Sequence, residues 1–374
     1  MSVPNYLRPY AELYAKNPRE ANKVWFDQAR YGLFLHYGLY SLTGLNEWCQ
    51  LREPIRVDEY AKLAESFTAE KFDAEAIVDF AMAAGMRYIN ITTRHHESFC
   101  LWEARNWDFH VGNSPAKRNL VQELYDACRK SGLGLFLYYS HGRDWKHPHA
   151  PNNDRWGGSA RPEYDPPEPS YAVGDQYDLD IYIDWMTEQI TDLISCFPEA
   201  AGIWLDGQAV PKSGNIEAFR IQELYDHIHA LSPHMLVSYK QGIYGTEDFF
   251  APEHFIPKQD STGPDRAMIA DYQKKTERIG EIGRNPSKKI EVCTTMIRNP
   301  VSWSWRPDSD FLSADEVFSE MKELVRAGAN YLINTGLRGD GSLDPTHVAV
   351  LLAVGERLRQ EGILPTSSFV HTHL

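Results

Sequence analysis

Short apolar runs alternate along the chain with longer stretches whose apolar residues recur at helical spacing. Residues 31–37 (YGLFLHY) read as a buried strand, and 72–84 (FDAEAIVDFAMAA) as an amphipathic helix. The alternation continues with a strand at 87–93 (RYINITT), a helix at 118–131 stopped by Gly132, and a strand at 134–140 (GLFLYYS). A helix at about 178–196 leads into the run AAGIWLDG at 200–207. Helix 215–231, strands 235–240 (MLVSYK) and 289–295 (KIEVCTT), helix 313–327, strand 329–334 (NYLINT) and helix 344–361 complete the series. Short apolar strands separated by helices predict parallel pairing. Seven or eight such units match an α/β fold of the (β/α)₈ barrel type better than an open sheet. No G-x-G-x-x-G follows the first strand, which argues against a dinucleotide-binding fold.

Two segments break the rhythm. Residues 141–176 are rich in Pro, Gly, Asn and Asp, and 241–288 form a second long irregular stretch. Loops of this length are functional or disordered, and Trp145 and Trp156 argue for order in the first. Both follow strands, so both are expected on the same face of one catalytic barrel domain spanning residues 1–374.

Composition narrows the partners. The chain is 43% hydrophobic and 24% charged, as a globular core requires. Its 38 basic and 52 acidic residues give a net charge of −14, which repels nucleic-acid phosphates and anionic lipid. A neutral small molecule is the expected partner. The five cysteines (Cys49, Cys100, Cys128, Cys196 and Cys293) show no metal-ligand spacing and are expected as unpaired thiols. The N-terminal segment lacks the pattern of a signal peptide, and no apolar run reaches membrane-spanning length, so a cytoplasmic location is expected. Ten Trp and twenty Tyr supply rings on which sugar C–H faces stack.

In a barrel of this type the active site lies where the strands end. Those ends carry His36, His95 and His96, Tyr138, Asp206 and Lys240. Each has an ordinary structural explanation: Asp206 could cap the following helix, and Tyr138 could be core. Two adjacent histidines in an extended strand point to opposite sides, so only one of His95 and His96 faces inward unless the strand has ended. Neither a G-x-S-x-G elbow nor a Walker A loop is present. Two chemistries remain for this imidazole- and carboxylate-rich set. One is metal-assisted hydrolysis, with His36, His95 or His96 and Asp206 as ligands. The other is glycoside hydrolysis by two carboxylates, with histidines and Glu47 holding sugar hydroxyls. A sugar-binding protein without catalysis is a third reading.

The segments RYGLFLHYGLYSL at 30–42, Glu47-Trp48, HHESFCLW at 95–102, LYYS at 137–140 and IWLDG at 203–207 occur in this order. Together they resemble the α-L-fucosidases of glycoside hydrolase family 29, over about residues 25 to 360. The resemblance implies a retaining exo-hydrolase that releases α-L-fucose without cofactor or metal. Asp206 would be the nucleophile, and Glu253, in EDFFAPEHF at 247–255, the acid/base, with Glu247 and Glu217 as alternatives. It also implies hydroxyl binding by His36, Glu47, His95, His96 and Tyr138, with Trp48 and Trp204 lining the pocket. Phe34 and Trp303 match the apolar patch around the C6 methyl group. Lys240 is the nearest match to an arginine of the family, whose fork of donors a lysine lacks. Family members usually read HHDGF where this chain has HHESF. They also usually continue into a C-terminal β-sandwich. This chain is expected to lack one, and exposed barrel surface with self-association into a homo-oligomer is the corresponding expectation.

Overall fold

Eight parallel strands close on themselves in the computed structural model, which describes residues 2–157, 159–207, 216–240, 242, 245–254 and 288–363. They are β1 (Tyr31–His36), β2 (Tyr88–Arg94), β3 (Gly134–Ser140), β4 (Gly202–Asp206), β5 (Leu236–Tyr239), β6 (Phe249–Phe250), β7 (Lys289–Thr295) and β8 (Asn330–Gly336). Each pairs with its neighbour in sequence, and β1 meets β8 in register from Tyr31 opposite Tyr331 to His36 opposite Gly336. Strands β1 to β5 and β8 are buried along their whole length, because helices cover the outer face and side chains fill the inner one. The (β/α)₈ expectation is met.

Among the described residues seven helices have ten residues or more, and all but the fifth begin at a capping side chain. They are α1 (Pro18–Ala29), α2 (Ala74–Ala83), α3 (Leu120–Ser131), α4 (Leu179–Cys196), α5 (Ile221–Leu231), α6 (Ala314–Arg326) and α7 (Pro345–Gln360). Asn17, Asp73, Asn119, Asp178 and Asp344 each accept a backbone N–H of the first turn, and Ser313 with Glu316 forms a capping box. Gly132, at φ +73°, ends α3 as expected. Helix 215–231 starts later than its pattern implies. Residues Glu217–Phe219 form a separate 3₁₀ turn, and Arg220 at φ +48° separates it from α5.

Helix α1 closes the N-terminal end of the barrel. Asn22 donates to the carbonyls of Ala201 and His234 (2.8 and 2.7 Å), and Phe26 packs on Tyr88, Phe136 and Phe249. Strand β6 has only two residues, and its start is tied down by Asp248. This buried carboxylate takes Arg19 Nε (2.7 Å), Lys23 Nζ (3.1 Å), His229 Nε2 (3.2 Å) and the Val237 N–H (2.9 Å). It thereby links α1, α5 and β5 to the shortest strand. Burial alone would raise its pKa, but His229, Arg19 and Lys23 outweigh burial and hold it at about 2.

A second carboxyl sits inside the barrel. Glu291 on β7 is 1% exposed and accepts from Tyr88 Oη (2.6 Å) and Trp204 Nε1 (3.0 Å). Burial, only partly offset by these bonds, pushes its pKa up to about 7.

Two opposite pH responses of stability are expected. Asp248 is depressed on folding, so its contribution, about 2 kcal/mol, is present above the usual carboxylate range and lost as pH falls towards 2. Asp248→Asn should lower the thermal midpoint at pH 6 and flatten its decline between pH 4 and 2.5; an unchanged midpoint at pH 6 would refute the clamp. Glu291 is raised on folding, so its contribution is full below the unfolded value and lost as pH climbs through 7. Glu291→Gln should therefore gain stability over the wild type between pH 5 and 8, by about 3 kcal/mol at most. Parallel midpoints across that range would sink this assignment.

Candidate active site

The strand ends build a cavity of about 200 Å³ at the C-terminal rim. Its floor comes from the inner faces of β1, β3 and β4, with Phe34, His36, Tyr138, Trp204 and Asp206. Strand β2 ends at Arg94, whose guanidinium is buried against the Asp144 carboxylate and the Ser140 carbonyl. Extended alternation stops there, so His95 and His96 both reach the cavity. Beyond β4 the chain must leave sharply. Gly207 has φ +127°, and a Cβ there would lie 2.4 Å from Gly142 Cα, so only glycine lets the loop after β3 pack on this exit.

Asp206 is the electrostatic centre. It is 5% exposed, accepts from Tyr138 Oη at 2.6 Å, and pairs with Lys240 Nζ at 3.0 Å. Burial works to raise its pKa. The Lys240 ammonium, the Tyr138 hydrogen bond and the Arg143 guanidinium reverse this and hold the carboxyl below the usual range. Lys240 also contacts Glu253 Oε1, so one ammonium bridges two carboxylates. Burial disfavours its charge, but Asp206 and Glu253 push its pKa above the ordinary lysine value. Lys240 follows β5 with φ +39°, and its carbonyl accepts the Ala251 N–H, tying it to the segment that carries Glu253. That segment resumes the ladder with β7: Glu253 bridges Cys293, and His254 N–H donates to the Cys293 carbonyl at 2.9 Å. Glu253 is thus held by backbone pairing rather than by a free loop.

The histidines are set as acceptors. Asn334 donates through Nδ2 to the Trp303 carbonyl (2.8 Å) and Thr295 Oγ1 (3.0 Å). Its Oδ1 therefore faces His36 Nδ1 (2.8 Å) as acceptor, which places the proton on Nδ1 and a lone pair on Nε2. Ser140 gives its single proton to the Arg143 carbonyl (2.7 Å), so its oxygen accepts from His96 Nδ1 (2.6 Å). His96 Nε2, 3.9 Å from Asp206 Oδ2, is again a lone pair. Burial, reinforced by neighbouring His95, lowers the pKa of both rings and keeps them neutral. Such nitrogens receive hydroxyl protons. One wall is apolar: Phe34 lies between Trp204 and Trp303, with centroids at 5.6 and 5.8 Å.

Among the expected residues, Glu47 does not face the cavity. Its Oε2 accepts the N–H groups of Trp303 and Ser304 (2.9 and 3.1 Å), so it fixes the loop that presents Trp303. Glu217 is exposed, and buried Glu247 accepts from Tyr225 Oη at 3.0 Å; neither lines the cavity. Three contributors escaped the strand-end reading. Arg143 and Ser159 reach the cavity from the loop after β3, and Asn334 acts behind His36. Loop 141–176 was legible as functional, but not which of its side chains turn inward. In loop 241–288, residues 255–287 lie outside the described residues. The described residues bring no group of three His, Cys, Asp or Glu into a metal-ligating arrangement, so the metal-ligand reading of His36, His95 or His96 with Asp206 gains no support from their positions. No helix among them is long and apolar enough to cross a membrane.

Comparison with known proteins agrees with this fold. The chain matches the family described as alpha-L-fucosidase over residues 5–363. It is 26% identical to human tissue alpha-L-fucosidase over 374 residues, covering 91% of this chain and 68% of that protein. It is 27% identical to alpha-L-fucosidase AlfC from Lactobacillus casei, solved in complex with its alpha-L-fucose product. That superposition has a TM-score of 0.75 and covers 92% of this chain and 99% of the other. Alpha-L-fucosidase isoenzyme 1 from Paenibacillus thiaminolyticus aligns at 27% identity with a TM-score of 0.73, over 93% of this chain and 77% of that one. Matched to the family over residues 5–363 and to solved fucosidases over more than nine tenths of its length, the chain belongs to the alpha-L-fucosidase family and is a glycosidase of that kind.

Proposed function

We propose that the protein is a retaining exo-α-L-fucosidase, with the chain acting as one catalytic unit. The observation that carries this reading is the Lys240 ammonium shared by Asp206 and Glu253. Two oxygens within hydrogen-bonding range of one nitrogen lie at most ~6 Å apart. Retaining glycosidases need about 5–5.5 Å between carboxyls, whereas inverting ones need about 6.5–9.5 Å to admit a water. The ionised state of Asp206 suits a nucleophile, and the greater exposure of the Glu253 side chain, 33% against 6%, suits proton exchange with the leaving group and water.

In the first step Asp206 forms a bond to the anomeric carbon as the glycosidic C–O bond breaks. The proton of Glu253 goes to the departing oxygen. In the second step Glu253 takes a proton from water, whose oxygen displaces Asp206 from the same carbon, and both carboxyls return to their starting states. The Nε2 lone pairs of His36 and His96 accept sugar hydroxyls, and the Phe34–Trp303 wall receives the C6 methyl group. A hydroxymethyl group there would leave its hydroxyl without a partner, a cost of about 1–3 kcal/mol that favours fucose over galactose-like rings. The fucose bound by the Lactobacillus casei relative supports the same sugar here.

Asp206→Ala should lower kcat on 4-nitrophenyl α-L-fucoside by a factor on the order of 10⁴. Glu253→Ala should slow poorly activated fucosides by roughly 10²–10⁴. Proton NMR of the wild-type reaction should show α-fucose as the first-formed anomer; β-fucose first would exclude retention. Near-normal turnover by the Asp206 variant would exclude that nucleophile, and binding of fucosides without turnover by the wild type would leave a sugar-binding protein.

Lys240→Met offers an independent check through pH. With the ammonium gone, burial dominates Asp206 and its pKa rises, so the acidic limb of kcat/KM should move to higher pH. An unmoved limb would show that the ion pair does not set the charge of the nucleophile.

A further inference from the structure

We infer that Arg143 and Ser159 form an aglycone subsite for a carboxylate-bearing leaving group, such as an acidic sugar; this rests on the fucosidase reading above. Arg143 is 4% exposed and faces the cavity. Its Nε donates to the Ser159 carbonyl (2.9 Å) and its Nη2 to Ser159 Oγ (3.2 Å). The guanidinium stacks over Trp48, 4.8 Å from the ring centroid. These contacts occupy one edge of the fork and one face. Among the described residues, Nη1 has no hydrogen-bond partner and the group has no carboxylate within ion-pairing distance. Buried Arg94 and Lys240, by contrast, each hold one or two carboxylates.

Ser159 Oγ accepts from Arg143, which leaves its own proton to donate. The subsite therefore offers two donors, a cationic Nη1–H and the Oγ–H, against the one lone pair left on Oγ. A group rich in acceptor oxygens and negatively charged is its complement, because the guanidinium can only donate. Charge arithmetic points the same way. When Glu253 carries the proton it must donate, the cavity holds Lys240 and Arg143 as cations against Asp206 alone. A neutral leaving group would leave this excess unmatched. The net charge of −14 opposes anions at a distance, but beyond about 8–10 Å it is screened at physiological ionic strength.

Position assigns the subsite to the leaving-group side. The fucose site is made by strand ends, whereas Arg143 and Ser159 enter the cavity from the loop that follows β3, on the side of the C-terminal rim. In an exo-acting enzyme the aglycone leaves through that rim.

The test uses two hydrolysis-resistant ligands, 4-carboxyphenyl and 4-carbamoylphenyl 1-thio-α-L-fucoside, titrated calorimetrically into the wild-type protein. The carboxylate should bind about tenfold more tightly, with the ratio shrinking in 0.5 M salt. In Arg143→Gln the ratio should fall to near one, and in Arg143→Lys it should be intermediate. Because each ratio is taken within one protein, a partly folded variant does not disturb it. Equal affinities in the wild type would overturn the proposal, as would a ratio unchanged by Arg143→Gln. Hydrolysis of 4-nitrophenyl α-L-fucoside is scored separately, so failure of this subsite and failure of the fucosidase reading are distinguishable.

Discussion

Closing a parallel sheet into a ring sends the carboxyl end of every strand to one rim, and each functional feature of this protein depends on that constraint. The ladder from β1 to β8 and back leaves no free edge in the barrel. It also forces side chains far apart in sequence into one small space, as with His36 and Asn334 or Trp204 and Glu291. Where the ring is weakest, at the two-residue strand β6, a buried charge cluster around Asp248 ties the start of that strand to α1, α5 and β5.

At the rim the governing problem is how to keep charges inside protein. An isolated carboxylate or ammonium buried to this degree would neutralise itself by shifting its pKa. Asp206 stays ionised because Lys240, Tyr138 and Arg143 surround it, and Lys240 stays charged because it has two carboxylates. The histidines take the other course and remain neutral, with proton positions dictated by Asn334 and Ser140. The same physics thus yields an anionic carboxylate and uncharged imidazoles within a few ångströms of each other.

Much of this was readable from the chain. The alternation of apolar runs predicted seven of the eight barrel strands to within a residue or two, and Asp206 stood out because a buried strand has no internal use for a terminal carboxylate. The remaining strand, β6, is too short to show a period, and its pairing with β5 and β7 is made by tertiary neighbours. His95 and His96 could not both be placed inward by alternation, since the end of β2 at Arg94 depends on Asp144, fifty residues on.

The sequence by itself therefore determined the barrel, the face that carries the chemistry and most of the side chains there, because hydrophobic period and strand-end position are local properties. Only the tertiary structure decided what those side chains do for one another. It turned Glu47 from the cavity to the loop of Trp303, set Lys240 between two carboxylates, and brought Arg143 in from a long loop to sit beside Trp48. These outcomes rest on distances between residues remote in the chain, which no periodicity encodes.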